Sequence, residues 1–331
     1  MSTQSEAVVV TGAGGFIGSH LVAALVRQGK KVRAMVRYTS RGDIGNLAWN
    51  DPALLREVEI VRGDIRDTEF VRRLIEGTEV VYHLAAAISI PYSYTNPREF
   101  IETNINGTLN ILAAVKNSQH VRRVVITSTS EVFGTAQYVP MNEKHPLHPQ
   151  SPYAATKVGA DQLSKSFGYS FDVPVIIARP FNTFGPRQSP RAVIPTIILQ
   201  ALAGNTIRLG RMDSTRDFLY VGDTVRGFLA CGDAPAEMNG EEFNFGTGVE
   251  TTIHGVRDEI LQLMHQPAET NVEQRRLRPE SSEVMRLLCD SRKANQRLNW
   301  FPETSLTEGL QNTVLWFTEN RYSFAQENNL I

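Results

Sequence analysis

Residues 8–18 read Val8-Val-Val-Thr-Gly12-Ala-Gly-Gly15-Phe-Ile-Gly18. A β-branched run ends at Thr11, glycines follow at 12, 15 and 18, and apolar residues then recur at helical spacing through His20–Gln28. The first glycine permits a tight turn out of a strand. The second lets a pyrophosphate approach backbone N–H groups, and the third lets the following helix pack closely on the strand. A strand before the glycines and a helix after them is the context that separates a dinucleotide cradle from an arbitrary glycine-rich turn. Gly12, Gly15, Phe16, Ile17 and Gly18 are therefore candidate cofactor contacts.

Outward from this cradle, short β-branched runs continue at Val32–Val36, Glu59–Val61, Glu79–His83, Val121–Thr127 and Val173–Ala178, after a first at Ala7–Thr11. Helical patterns intervene at Ile101–Lys116 and Ala154–Phe167. This alternation predicts an α/β fold, a Rossmann-like doubly wound parallel sheet with helices on both faces. After Pro180 the chain becomes rich in loops, Arg and Pro, and Phe218–Leu229 and Phe243–Gly246 are the runs able to return to the sheet. The expected division is a dinucleotide-binding domain over 1–179 with parts of 218–246, and a smaller, discontinuous substrate domain over 180–217 and 247–331. A chain of 331 residues has the length for two such cores.

Bulk composition narrows the partners. With 41% apolar residues, 21% charged and a formal net charge of −1, the chain has no long-range field to draw nucleic acid or anionic lipid. An anionic ligand must be held by local arginines. Cys231 and Cys289 form neither a disulfide framework nor a metal-spaced set, which predicts reduced thiols and no metal site. Residues 1–6 lack a basic leader, and no apolar run approaches the ~18 residues of a membrane span. The expectation is a cytoplasmic protein with no membrane or nucleic-acid partner.

At the end of the second strand, where an acid would bond the ribose 2′-hydroxyl, the chain carries Arg37, with Arg41 close behind. Guanidinium groups there suit a 2′-phosphate, so NADP is favoured over NAD. Asp64, followed by Ile65, either accepts from the adenine amino group or caps the next helix. Leu84, Ala85 and Ala86 leave room for a cofactor against the backbone.

The fifth strand ends in Thr127-Ser-Thr-Ser-Glu-Val-Phe-Gly134, three hydroxyls and a carboxylate ahead of a glycine. Downstream, Tyr153 and Lys157 are four apart and share a helical face. An ammonium beside a phenol stabilises the phenolate, as hydride chemistry on an alcohol requires.

With these stretches, and with Arg179-Pro-Phe-Asn-Thr-Phe-Gly-Pro-Arg187 and Thr215-Arg-Asp-Phe-Leu-Tyr-Val-Gly-Asp223, the chain resembles the extended short-chain dehydrogenase/reductase family acting on nucleotide-diphosphate sugars. The resemblance covers nearly the whole chain and implies Tyr153 as base, Lys157 as its partner and Thr129 as the hydroxyl bonding the sugar or the tyrosine. Within the family, the Thr-Ser-Glu pattern is similar to 4,6-dehydratases and nucleotide-glucuronate decarboxylases, whereas 4-epimerases carry a small neutral residue at the Glu131 position. Glu131 is then implied as the base at C5. Ser130 stands where many glucose-type dehydratases have Asp, so acid catalysis at C6 falls to Glu131 or water. The downstream runs look most like nucleotide-linked N-acetylglucosamine 4,6-dehydratases of legionaminic-type sugar pathways.

The same resemblance implies that Asn182 and Arg216 hold the diphosphate or sugar, that Arg187 or Arg191 reaches the phosphates or a neighbouring subunit, and that Arg278 lies by the nucleoside. It places Ser89 and Tyr92 on the sugar pocket and implies a homodimer paired through Ile101–Lys116 and Ala154–Phe167. The rival readings are a 4-epimerase, a glucuronate decarboxylase needing a cation for the substrate carboxylate, and a non-catalytic dinucleotide sensor.

Overall fold

In the computed structural model, which describes residues 7–324, seven strands form one sheet. They are β1 (Ala7–Thr11), β2 (Val32–Arg37), β3 (Val58–Gly63), β4 (Thr78–His83), β5 (Arg123–Thr127), β6 (Val175–Pro180) and β7 (Glu242–Phe245). Their order is β7-β6-β5-β4-β1-β2-β3, and every pairing is parallel. The order reverses beside β1, so a crevice opens at the carboxyl ends of β1 and β4, where ligands of such sheets bind. Parallel strands covered on both faces need continuous apolar runs, and Val8, Val9, Val10, Val124, Val125 and Ile126 are all buried.

Helix α1 (Phe16–Arg27) and α2 (Val221–Asp233) share the apolar layer on one face of the sheet, with Leu21, Leu25, Val225 and Phe228 in it. On the other face lie Gly107–Lys116 and the long helix Pro152–Phe171, carrying Ile111, Leu112 and Leu163. A separate apolar cluster gathers Phe184, Ile197, Ile207, Ile260, Leu310 and Phe317 from the later part of the chain. Phe243–Phe245 does rejoin the sheet, as the edge strand β7. Residues 218–229 are not one element: Phe218–Tyr220 is a short strand paired with Asn182–Phe184, and α2 begins at Val221.

One helix departs from its expected form. Ile101–Asn106 is a π-helix running into Gly107–Lys116, and the wider turn brings Asn104 into the interior at 1% exposure. Cys231 and Cys289 are free, buried thiols. No described helix is long and apolar enough to cross a membrane.

Candidate active site

The cradle forms as its glycines require. Gly12 has φ +67°, and a Cβ there would stand 2.7 Å from the Ala85 nitrogen and 2.8 Å from the Leu84 carbonyl carbon. A Cβ on Gly18 would run into the Gly12 carbonyl oxygen. Thr11 ties the two strand ends together, its hydroxyl accepting from the Leu84 and Ala85 N–H groups at 3.1 Å. Helix α1 starts at Gly15 with no side-chain cap and no acid in its first turn, leaving its N–H groups for an anion. These features fit the pyrophosphate of a dinucleotide, and Gly12, Gly15, Phe16, Ile17, Gly18, Leu84, Ala85 and Ala86 all border the cradle or its strand ends.

Two neighbours of the cradle escape the glycine pattern. A Cβ on Gly14 would stand 2.8 Å from the Ile44 oxygen, and the Gly14 carbonyl accepts from Asn46 N–H at 2.8 Å. His83 bonds the Thr11 hydroxyl through Nδ1 (2.8 Å) and the Thr108 hydroxyl through Nε2 (3.1 Å). Because the Thr11 hydroxyl accepts from two backbone donors, its proton goes to His83 Nδ1. Burial drops the His83 pKa to about 3, and the ring remains neutral.

At the adenosine end, Arg37 is two-thirds exposed, its nearest acid Glu99 at 3.9 Å, while Arg41 is exposed. Asp64 does not cap the next helix. Its carboxylate holds Arg66 (2.6 Å), which lowers its pKa, and Asp67 caps that helix instead. Ile65 is buried, its Cδ1 packed where a Cβ on Gly107 would be.

The hydroxyl cluster ends β5 and turns into a 3₁₀ helix, Ser130–Phe133, capped by Thr129, whose hydroxyl accepts from Glu131 N–H at 3.3 Å. Ser130 is 3% exposed and Glu131 9%. The helix Pro152–Phe171 starts at a Ser151 cap with Pro152 in its first turn, which fixes where Tyr153 emerges. Tyr153 is 8% exposed, edge-on to Phe100 at 6.3 Å. Burial pushes its phenol pKa up, while a hydrogen bond with Thr129 pulls it down. Lys157 donates to the Thr127 carbonyl at 2.5 Å rather than to the phenol, and burial lowers its pKa. Asn104, brought inward by the π-helix, donates to Thr156 and to the Ala87 carbonyl and accepts from Ala87 N–H, tying the loop after β4 to the tyrosine helix. Polar Glu102, Thr103 and Asn106 surround it in the sequence, so nothing there singled it out.

The arginines divide. Arg278 Nη1 lies 3.8 Å from Glu131 Oε2. Arg216, 6% exposed, pairs with Glu283 at 3.5 Å; burial lowers its pKa, and Glu131 and Glu283 oppose that. Arg187 bonds Asn50 Oδ1 (2.9 Å), the Ser19 hydroxyl and the Trp49 carbonyl within the chain, while its Nε is buried without a partner. Arg191 is exposed. Ser89 caps a short helix through Tyr92 N–H, and Tyr92 is 45% exposed; Tyr94 bonds Ser282 at 2.6 Å, joining this segment to the Arg278 loop. Thr127 Oγ1, Asn182 Oδ1 and Arg278 Nη1 are buried without hydrogen-bond partners, as atoms awaiting a polar ligand are.

Comparison with known proteins gives this geometry a context. A family profile described as GDP-mannose 4,6 dehydratase matches residues 9–313. A trifunctional UDP-glucose 4,6-dehydratase/3,5-epimerase/reductase of Arabidopsis thaliana is 32% identical over 95% of this chain, which spans 47% of that relative's length. Thus the chain spans about half the length of that relative and of two similar plant proteins. The dTDP-glucose 4,6-dehydratase of Streptomyces venezuelae, solved with NAD bound, superposes with a TM-score of 0.85 at 30% identity, covering 96% of this chain and 99% of that one. The UDP-glucuronic acid 4-epimerase of Bacillus cereus, solved with UDP-glucuronic acid and NAD, gives 0.85 at 28% identity, covering 95% and 99%.

Proposed function

Since the chain belongs to the GDP-mannose 4,6-dehydratase-like family of short-chain dehydrogenases/reductases, we propose that it dehydrates a nucleotide-diphosphate sugar across C5 and C6. The observation that carries the proposal is Glu131: a buried carboxylate on the turn capped by Thr129, the hydroxyl that lowers the Tyr153 phenol pKa. A nicotinamide cofactor in the cradle supplies the reversible uptake and return of hydride. Tyr153 takes the proton of the C4 hydroxyl, with Thr129 holding the phenol. The resulting C4 ketone acidifies C5, and Glu131 removes that proton as the C6 hydroxyl leaves as water. Hydride returns to C6 and a proton to C5, so the balance is the loss of one water with no net redox change. Ser130 neighbours the leaving group, and acid assistance comes from Glu131 or solvent. Arg216 holds the diphosphate, Asn182 bonds the diphosphate or sugar, Arg278 lies by the nucleoside, and Ser89 and Tyr92 border the sugar.

A second reading, 4-epimerisation, has its own observation: the Glu131–Arg278 pair gives the carboxylate a structural partner. Incubation with UDP-, GDP-, CDP- and dTDP-hexoses, including N-acetylglucosamine derivatives, followed by mass analysis separates the two. Dehydration removes the mass of one water. A product of unchanged mass and inverted C4 would replace the dehydratase reading with the epimerase.

Arg37 and Arg41 lead us to favour NADP, although the solved relatives above hold NAD. Calorimetric titration should show tighter NADP binding, reversed in Arg37→Asp. Equal or tighter NAD binding by the unaltered protein would reduce both arginines to surface charge.

The division at residues 179/180, with parts of 218–246 returning to the cofactor domain, is proposed as the functional one. A homodimer is proposed through Ile101–Lys116 and Ala154–Phe167, the first of which exposes Ile101 and Leu109. Light scattering at micromolar protein should give twice the chain mass; a monomer removes the claim.

A further inference from the structure

Behind the reacting edge runs a buried line of charges that the proposed reaction does not use. Asp161, fully buried, stands one helical turn beyond Lys157 and two beyond Tyr153. Its Oδ2 accepts from the Ser128 hydroxyl at 2.7 Å and from Arg179 Nη2 at 2.9 Å, while Oδ1 is buried without a partner. Arg179, 1% exposed, continues to Glu242 Oε2 (2.9 Å) and Asn244 Oδ1 (3.3 Å) and lies over the Phe133 ring at 4.8 Å. Glu242 accepts in turn from Lys165 at 3.0 Å. From Lys157 through Asp161, Arg179 and Glu242 to Lys165, the sign of charge alternates.

Buried ion pairs contribute little net stability, because desolvation offsets the attraction. What this one does supply is a fixed negative charge behind the lysine. We propose that Asp161 is a positioning residue for Tyr153 and Lys157: its carboxylate, held by Arg179, lies one helical turn from the lysine and anchors the hydroxyl strand through Ser128. The inference rests on the assignment of Tyr153 as the base.

Burial disfavours the Lys157 ammonium, and Asp161 is the charge that sustains it. At Tyr153, burial disfavours the phenolate first, and Glu131 and Asp161 add to that. The other groups acting on the pair are Glu131 from the 3₁₀ turn and neutral His83 from β4, with Arg179 of β6 reaching it through Asp161; the π-helix and the helix after it present the uncharged Asn104 and Thr108. Removing a nearby anion makes the loss of any proton easier. Both ionisations of the coupled pair therefore move to lower pH in Asp161→Asn. Removing the cation in Arg179→Gln acts in the opposite direction.

The test is an ultraviolet titration of the phenolate in protein saturated with NAD, taken as the difference from Tyr153→Phe. No sugar is needed, so the result stands even if no hexose is dehydrated, and the mass analysis above judges that reading separately. Asp161→Asn should move the phenolate titration to lower pH, raising the ionised fraction on its rising limb by up to about tenfold, and Arg179→Gln should move it to higher pH. Where Asp161→Asn does not fold by circular dichroism, the Arg179→Gln shift decides. An unmoved titration in a folded variant overturns the proposal. So does failure of both variants to fold, because Asp161 and Arg179 would then serve packing alone.

Discussion

Tyr153→Phe is expected to abolish every partial reaction at once: no reduced cofactor, no solvent deuterium at C5 and no dehydrated sugar. The substitution removes only the phenolic oxygen. Its ring still meets Phe100 edge-on and still packs with Ile90, so the fold and the cradle should persist. What is lost is the group that takes the C4 proton, and loss of a general base typically costs about 10² to 10⁴-fold in rate. Because oxidation at C4 precedes elimination, the loss blocks the steps behind it as well. The unaltered enzyme should also show a rate that climbs with pH. Burial raises the phenol pKa, so its base form is scarce at low pH and grows as pH rises. Stopped-flow absorbance with the sugar nucleotide and the oxidised cofactor gives the comparison. A Tyr153→Phe enzyme that still reduces the cofactor at close to the unaltered rate would remove the phenol from the chemistry.

The strands were legible because a parallel sheet buries both faces, and such strands are written as uninterrupted β-branched runs; β1 falls on the expected Ala7–Thr11. The cradle was legible for a related reason, since a backbone that must approach a phosphate admits only glycine at Gly12 and Gly18. Tyr153 and Lys157 were visible because helical spacing is local. Much of the site's wiring is not local. The π-helix at Ile101–Asn106 leaves the apolar periodicity almost intact while turning Asn104 inward, so the spacing gave no warning. Asp161 and Arg179 meet across a helix and a strand, and Arg187 reaches Asn50 across 137 positions, which no short window records. Arg278 comes within 3.8 Å of Glu131, 147 positions away, because Ser281 and Ser282 in its loop bond Gln150, a contact no short window records. Of the two readings of Asp64, the cap falls to Asp67, three residues on, a choice that spacing alone leaves open.

Glu131→Gln should fail in a different way from Tyr153→Phe. The amide keeps the shape of the carboxylate, and Thr129 still accepts the backbone N–H that starts the turn. Arg216 retains Glu283, so the loss of one charge leaves a paired cation on that side of the cleft. With Tyr153, Thr129 and Lys157 untouched, oxidation at C4 proceeds, but no base remains to take the C5 proton. Elimination should slow by about 10² to 10⁴-fold, and the reduced cofactor, unable to return its hydride to C6, should accumulate and show its near-ultraviolet absorption. Solvent deuterium should enter C5 with the unaltered enzyme and hardly at all with the variant. The pair of variants thus orders the steps: one stops before the cofactor is reduced, the other immediately after. If Glu131→Gln dehydrates at close to the unaltered rate, Glu131 is the ion-pair partner of Arg278 and nothing more. Another group must then take the C5 proton, because loss of water still requires that proton to leave.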